Sequence, residues 1–240
     1  LLAFLHWAHD GVREIIRAQT VLEAGEHIFA EIDMDFHATR DRPDFLFGPL
    51  AMGEYLTVKF FVLYRVREGK VAQLKASSWP ANIGVSKPAG AGQLAVRYRP
   101  PPPLGGSPAQ RQAYLEYARA FSEADFDRFS AYYTDDVVCE LSAGIILRGK
   151  DGIVDFYRGM FKTVRESLTL HHLIADESGL AADITSQFTA IGDAPDFVVT
   201  PLKKGEFVRV PVFVHYTLRD GRIAHIKVGR SGEVSKPQRV

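Results

Sequence analysis

The sequence predicts an α+β fold built from two related halves. Residues 41–75 and 193–227 align without a gap at a constant offset of 152, and sixteen of the 35 aligned positions are identical. Chance would give about one match in every 16 to 20 positions, so this stretch is a duplicated structural unit. Apolar residues alternate through each copy with the period of a β-strand, whereas three helical patterns follow residue 107.

Each copy is predicted to contain a long strand, a tight turn and a second strand. The turns are expected at Glu68-Gly69 and Asp220-Gly221, because glycine adopts a positive φ without steric cost. The strands are expected at residues 54–66, 70–77, 206–218 and 222–229.

The first half should begin with a helix over residues 1–20 and continue with a strand near 26–38. Its segment GVREIIRA matches GKDGIVDF of the second half at an offset of 138, which makes it the counterpart of a helix. The chain opens inside an apolar helical pattern without a methionine, so we expect further residues before Leu1.

The join between the halves is rich in glycine and proline, with four consecutive prolines from Pro100, and is typical of a semi-rigid linker. Ser107 and Pro108 should begin the first helix of the second half with a capping box. Ser122 is expected to cap a second helix, and Gly149 to open a third. Strands are expected at residues 137–141, 168–175 and 180–190.

Composition excludes several classes of function. The 29 basic and 29 acidic residues balance, so no basic field favours nucleic acid as the main partner. No apolar run approaches the ~20 residues of a membrane span, and with no visible targeting signal we expect a cytoplasmic protein. The single cysteine, Cys139, excludes a cysteine-rich metal site and is expected to be a buried apolar residue. We predict neither a metal nor a cofactor.

Four segments of the second half resemble the nuclear-transport-factor-2-like (NTF2-like) superfamily, and most closely its SnoaL-like branch. They are YTDDVV, RGKDGIVDFYRGMF, LTLHHLIADESGLAADI and YTLRDGRIAHIK. This branch is similar to ketosteroid isomerases, polyketide cyclases and scytalone dehydratases. The resemblance covers residues 108–231 fully and 11–79 in part. It implies an incomplete N-terminal domain (1–80), a linker (81–107), a complete domain (108–231) and a tail (232–240).

The resemblance implies a cone whose helices close one end of a curved sheet and leave an apolar pocket on its concave face. The even-numbered residues of the repeated strands, with Tyr157, should line this pocket. Lys227 would join them if it faced inward, although surface charge is the alternative. The odd-numbered residues Phe61, Leu63, Phe213 and His215 should form a contact between sheets, in an intrachain pseudo-dimer or a homo-oligomer. The expected lining residues are Val58, Phe60, Val62, Tyr64, Val210, Val212, Val214 and Tyr216.

The acids of a ketosteroid isomerase have no counterpart in this sequence. The base position falls at Leu141 and the second acid at Val214, while Tyr117 occupies the tyrosine position. Glu140 could act as the base only if a bulge turned it inward, because adjacent strand residues face opposite sides.

A dehydratase-like set is the better candidate. His172 falls at the histidine position of the scytalone-dehydratase-like relatives, Tyr117 could polarise a carbonyl, and Asp183 is the nearest acid that could orient His172. The alternative for His172 is a core or interface histidine. The sequence thus leaves two hypotheses: a cofactor-free dehydratase or isomerase acting on a small apolar, carbonyl-bearing ligand, or a non-catalytic binding or assembly module.

Overall fold

The computed structural model describes residues 2–86, 108–175 and 179–239, and confirms the predicted α+β class. The helices are α1 (Leu2–His9), α2 (Pro108–Ser122), α3 (Phe126–Ser130) and α4 (Lys150–Met160). The strands of the first half are β1 (Val12–Ala24), β2 (His27–Ala38), β3 (Tyr55–Arg67) and β4 (Lys70–Ser86). Those of the second half are β5 (Tyr133–Glu140), β6 (Ile146–Arg148), β7 (Val164–Ala175), β8 (Gly179–Ala190), β9 (Glu206–Arg219), β10 (Arg222–Arg230) and β11 (Gln238–Arg239).

The strands form two sheets. The first is antiparallel in the order β1-β2-β3-β4, and the second has the order β6-β5-β10-β9-β8-β7, with β11 paired to β9. Only β5 and β10 run parallel among the described pairs. Helices α2, α3 and α4 pack on one face of the second sheet around a core rich in tyrosine and phenylalanine.

The predicted tight turns are confirmed in both copies. Glu68 and Gly69 have φ values of 51° and 70°, and Asp220 and Gly221 have 53° and 73°. Positive φ at both central residues is typical of the two-residue turn whose twist matches the flanking strands. Each half also contains an isolated bridge before this hairpin, Arg42 with Leu50 and Ala194 with Leu202, at the same offset of 152.

The prediction of a helix over residues 1–20 is wrong beyond His9. Gly11, with φ of 74°, follows the short helix α1, and β1 then pairs with β2 along its whole length. β-Branched residues favour this strand over a helix. The segment therefore corresponds to β7 at the offset of 152, with Val12-Arg13-Glu14 repeated as Val164-Arg165-Glu166, and the match at an offset of 138 is also wrong.

Two other boundaries differ from the prediction. Ser122 ends α2, and Asp125 caps α3 by accepting a hydrogen bond from the backbone of Arg128 at 3.1 Å. Strand β4 continues to Ser86, into the expected linker, and the rest of the linker with Ser107 lies outside the described residues.

The two sheets contact each other through an apolar cluster that we call the seam: Leu22, Phe29, Phe61, Leu63, Ile174, Ala181 and Phe213. It contains three of the four residues predicted for a contact between sheets. The fourth, His215, is buried against Phe29 and Phe61. The seam lies within one chain, and we retain the pseudo-dimer as a prediction.

Two ion pairs cross between the sheets at related positions. Lys227 of β10 donates to Glu31 of β2 at 2.6 Å, and Lys75 of β4 donates to Asp183 of β8 at 2.8 Å. Lys75 and Lys227 are 152 residues apart, as are Glu31 and Asp183. Each half therefore gives one lysine to a buried acid of the other, which is the reciprocal pattern of a two-fold contact.

Candidate functional site

The second half contains an apolar cavity between its sheet and helices α2 and α4. Its volume is about 110 Å³, which exceeds the space needed by one water molecule and is of the order that holds a small organic molecule. Its walls come mainly from the inward-facing side chains of β9, the helices and the loops at 141–145 and 197–199.

Five of the predicted pocket residues line this cavity, as does the catalytic candidate Tyr117; the five are Tyr157, Val210, Val212, Val214 and Tyr216. Side chains alternate along a strand, so the even-numbered residues of β9 face the helices while Phe213 and His215 face the seam. Leu141, at the position compared with an isomerase base, also lines the cavity, so an apolar wall replaces that acid.

The predicted pocket residues of the first half do not line this cavity. Val58 packs with Phe36 and Leu56, and Val62 packs with Ala30 and Ile32. Phe60 and Tyr64 lie partly buried against these apolar clusters.

Glu140 lies outside the cavity. Its Oε1 is 2.7 Å from Nε2 of His225, and no bulge turns it inward, because β5 pairs regularly with β6 through Glu140 and Ile146. The inward neighbours on β5 and β10 are Cys139 and Ile226.

The structure pairs His172 with Asp183 as expected but does not bring them to Tyr117. His172 Nδ1 lies 3.1 Å from Asp183 Oδ2, beside the seam, and neither residue lines the cavity. The pairing of β7 with β8 shifts between Leu170 and His172, which inserts one residue and moves His172 to the opposite face. The His27 ring of the first half packs against the His172 ring at a tilt of 45°, with centroids 4.8 Å apart.

Lys227 also faces the first half rather than the cavity. Its ammonium group contacts Glu31, whose second oxygen lies 2.6 Å from Nδ1 of His215. These two partners lower the pKa of Glu31 to about 2, although its burial alone would raise the pKa. Glu31 is therefore ionised, and Lys227 is neither a pocket residue nor a free surface charge.

Sequence reasoning missed Glu166, the one carboxylic acid among the described residues that line the cavity. Burial raises its pKa to about 7, and a hydrogen bond with Ser186 partly opposes this shift. The signal was strand parity, because Glu166 lies two residues before the inward-facing Leu168. Starting the predicted strand at residue 168 excluded it.

Comparison with known families identifies this part of the chain. Residues 114–226 match the family profile described as "SnoaL-like domain". This segment is a SnoaL-like domain. No curated protein matches the sequence.

Solved structures similar to the chain cover about half of it. A candidate polyketide cyclase from Pseudomonas putida KT2440 has 24% identity and a TM-score of 0.44, covering 50% of this chain and 89% of that chain. A candidate polyketide cyclase from Xanthomonas campestris pv. campestris has 20% identity and a TM-score of 0.44, covering 50% and 87%. An LEH-like epoxide hydrolase from M. tuberculosis has 21% identity and a TM-score of 0.41, covering 50% and 80%.

Four tyrosines line the cavity of the SnoaL-like domain: Tyr117, Tyr133, Tyr157 and Tyr216. Tyr117 and Tyr133 share a hydrogen bond of 2.9 Å between their hydroxyl oxygens. Burial raises the pKa of Tyr117, Tyr133, Tyr157 and Tyr216 well above the ordinary value, so all four remain protonated. The hydroxyl groups are therefore hydrogen-bond donors and not bases.

Cys139 of the SnoaL-like domain is buried in the cavity wall. Burial, with the nearby charge of Glu166, raises its pKa to about 12. The side chain is thus a neutral thiol near neutral pH. It is not a nucleophile there, because the thiolate is the nucleophilic form. The same Glu166 charge contributes to the raised pKa of Tyr157, and all three side chains line the cavity.

Residues 2–86, 108–175 and 179–239 contain no group of three or more His, Cys, Asp or Glu side chains arranged to hold a metal ion. Among the helices described, none is long and apolar enough to cross a membrane.

Proposed function

We propose that the SnoaL-like domain catalyses proton transfer on a small apolar carbonyl compound without a cofactor, as an isomerisation or a dehydration, with Glu166 as the acid–base group. The observation that supports this proposal is a buried carboxyl group with a pKa of about 7 facing an apolar cavity. A perturbed acid in an apolar pocket is the usual mark of such chemistry.

The environment of Glu166 suits both directions of proton transfer. A group whose pKa lies near the working pH is present in both forms and contributes roughly 10²–10⁴-fold to a rate. As a carboxylate it accepts a proton from the carbon next to a carbonyl group. As the acid it then returns that proton to another carbon, or to a leaving hydroxyl group that departs as water. Ser186 holds the carboxyl group in place by its hydrogen bond.

Abstraction of that proton places negative charge on the carbonyl oxygen. The Tyr117 and Tyr133 hydroxyl groups have two hydrogens between them, and their mutual bond uses only one. Whichever tyrosine donates, one hydrogen is left for a ligand oxygen. Fixed donors aimed at developing charge in a site without water stabilise a transition state.

A non-catalytic binding module is the second candidate. Leu141 and Val214 support it, because the two positions compared with isomerase acids are apolar. In that case the tyrosines and Glu166 would orient a ligand that leaves the cavity unchanged.

Hydrogen–deuterium exchange separates the two candidates. Small apolar ketones are incubated in D₂O with the full chain, and loss of the proton next to the carbonyl is followed by NMR. We expect catalysed exchange that rises with pH through about 7, the pKa of Glu166, and falls at least about 100-fold in Glu166→Gln.

The matched control is Glu123→Gln, the same substitution at an exposed residue near the end of α2. His172→Ala tests the dehydratase-like set predicted from the sequence. Exchange that survives in Glu166→Gln would refute the role of Glu166, and exchange lost in His172→Ala would restore the sequence-based prediction. Binding without exchange in the wild type would favour the second candidate.

A further inference from the structure

We infer that the ligand of the SnoaL-like domain is an anion, with an apolar body in the cavity and a carboxylate or similar acidic group held by Arg230 at its mouth. This inference rests on the proposed function, because it assigns the substrate class of the same cavity. It is carried by the position of Arg230, by its lack of a partner among the described residues, and by the serine at the equivalent position of the first half.

Arg230 faces the cavity because of its register. It is the last residue of β10 and pairs directly with Val212 of β9, as Val228 pairs with Val214. Residues paired directly across antiparallel strands place their side chains on the same face of the sheet. All four of these residues line the cavity, and Arg230 is exposed, which places it where the cavity meets solvent.

The Arg230 guanidinium group is available to a ligand. It forms neither a hydrogen bond nor an ion pair with the residues that the structure describes. Burial and Ser186 account for the pKa shift of Glu166, and no cation among the described residues contributes. No ion pair joins Arg230 to Glu166, so neither charged group of the cavity is the partner of the other.

The surroundings of Arg230 select an amphiphilic ligand. The loops that border the cavity supply Ala143, Ile145, Phe197 and Val198, and 55% of the Val198 surface is exposed. An apolar body can pass this rim, whereas one fixed cation favours an anionic group beside it. A guanidinium group binds carboxylates with paired, charge-assisted hydrogen bonds.

The fold itself does not require an arginine at this position. The residue 152 positions earlier is Ser78, in the half whose even-numbered strand residues do not line the cavity. By contrast, Glu166 has an identical counterpart, Glu14, in that half. The arginine thus belongs to the half with the cavity and not to the repeated framework.

Two probes of the same shape test this inference on the full chain. The carboxylate 2-naphthoate and the neutral ketone 2-acetonaphthone differ in charge but hardly in size. Their affinities are measured by fluorescence at pH 6, where the probe is ionised and Glu166, with a pKa of about 7, is mostly protonated. We expect at least about tenfold tighter binding of 2-naphthoate, and weaker binding of this probe alone in 0.5 M salt.

Substitutions then assign the preference to Arg230. We expect Arg230→Gln to abolish the preference, and Arg230→Lys to keep part of it because the charge remains. The matched control is Arg222→Gln, at the opposite, exposed end of β10 and away from the cavity lining. Equal affinities in the wild type, or equal losses for both probes in Arg230→Gln, would overturn the inference and leave the proposed function standing. If neither probe binds, the inference of an anionic ligand with such an apolar body fails, whereas the proposed function is decided separately by the exchange measurement.

Discussion

Replacing Glu166 with glutamine should stabilise the protein at neutral and alkaline pH. The carboxyl group has a pKa of about 7 in the folded protein, against an ordinary value of 4.5 that applies to the unfolded chain. Between these pH values the folded protein retains a proton that the unfolded chain has released. Stability is therefore fully present below about pH 4.5 and is lost as the pH rises to about 7.

The size of the loss follows from the two pKa values. A difference from 4.5 to about 7, at about 1.4 kcal/mol for each pKa unit, lowers the free energy of unfolding by about 3 kcal/mol above pH 7. Glutamine has a similar shape, still hydrogen-bonds with Ser186 and does not titrate. The variant should thus match the wild type near pH 4 and exceed it by up to about 3 kcal/mol at pH 8.

Urea unfolding followed by circular dichroism at several pH values between 4 and 8 measures this difference. Other titrating groups affect both proteins equally, so the difference between the two curves isolates Glu166. Glu123→Gln, at an exposed position, should follow the wild type throughout. A difference between Glu166→Gln and the wild type that stays constant with pH would refute the assigned burial and pKa of Glu166.

Two other predictions concern the ion pairs that join the two sheets. Both acids are buried, but the Lys227 side chain is 19% exposed and the Lys75 side chain is 44% exposed, so water screens the second pair more. Lys227→Met should therefore cost about 3 kcal/mol and Lys75→Met about 1 kcal/mol. Equal losses in urea unfolding at pH 7 would contradict this. The pKa of Glu31 is lowered from 4.5 to about 2, so its contribution is present above about pH 4.5 and lost as the pH falls to about 2. The wild type should therefore lose about 3 kcal/mol more than Glu31→Gln between pH 5 and pH 2, and parallel curves would contradict the pairing.

Strand alternation and the repeat were enough to predict most of the fold. The even-numbered residues of β9 and the tight turns at Gly69 and Gly221 follow from local rules that tertiary packing did not override. The strand β1 was predicted as a helix because Val12, Ile15 and Ile16 fit a helical spacing as well as a strand. Pairing with β2 decides between the two, and a single sequence does not display that pairing.

The candidate site was harder to predict because it depends on register. A shift of one residue between Leu170 and His172 moves the histidine from the cavity face to the seam. The residue pattern of this strand does not predict that shift. Glu166 was missed for a different reason, since its strand begins four residues before the predicted start. The sequence also left Lys227 either in the pocket or on the surface, because the acid that it contacts belongs to the other sheet.

The seam has a consequence for how its two sides can change. A contact between two identical chains carries every substitution twice, so a large residue near the axis meets a second copy of itself. Here the positions 29 and 181 hold phenylalanine and alanine, and 63 and 215 hold leucine and histidine. Phe29 lies against Phe213 and His215 in the opposite sheet. Covalent linkage thus lets one side grow where the other shrinks. It also lets Glu31 contact His215 although the equivalent position 63 holds a leucine.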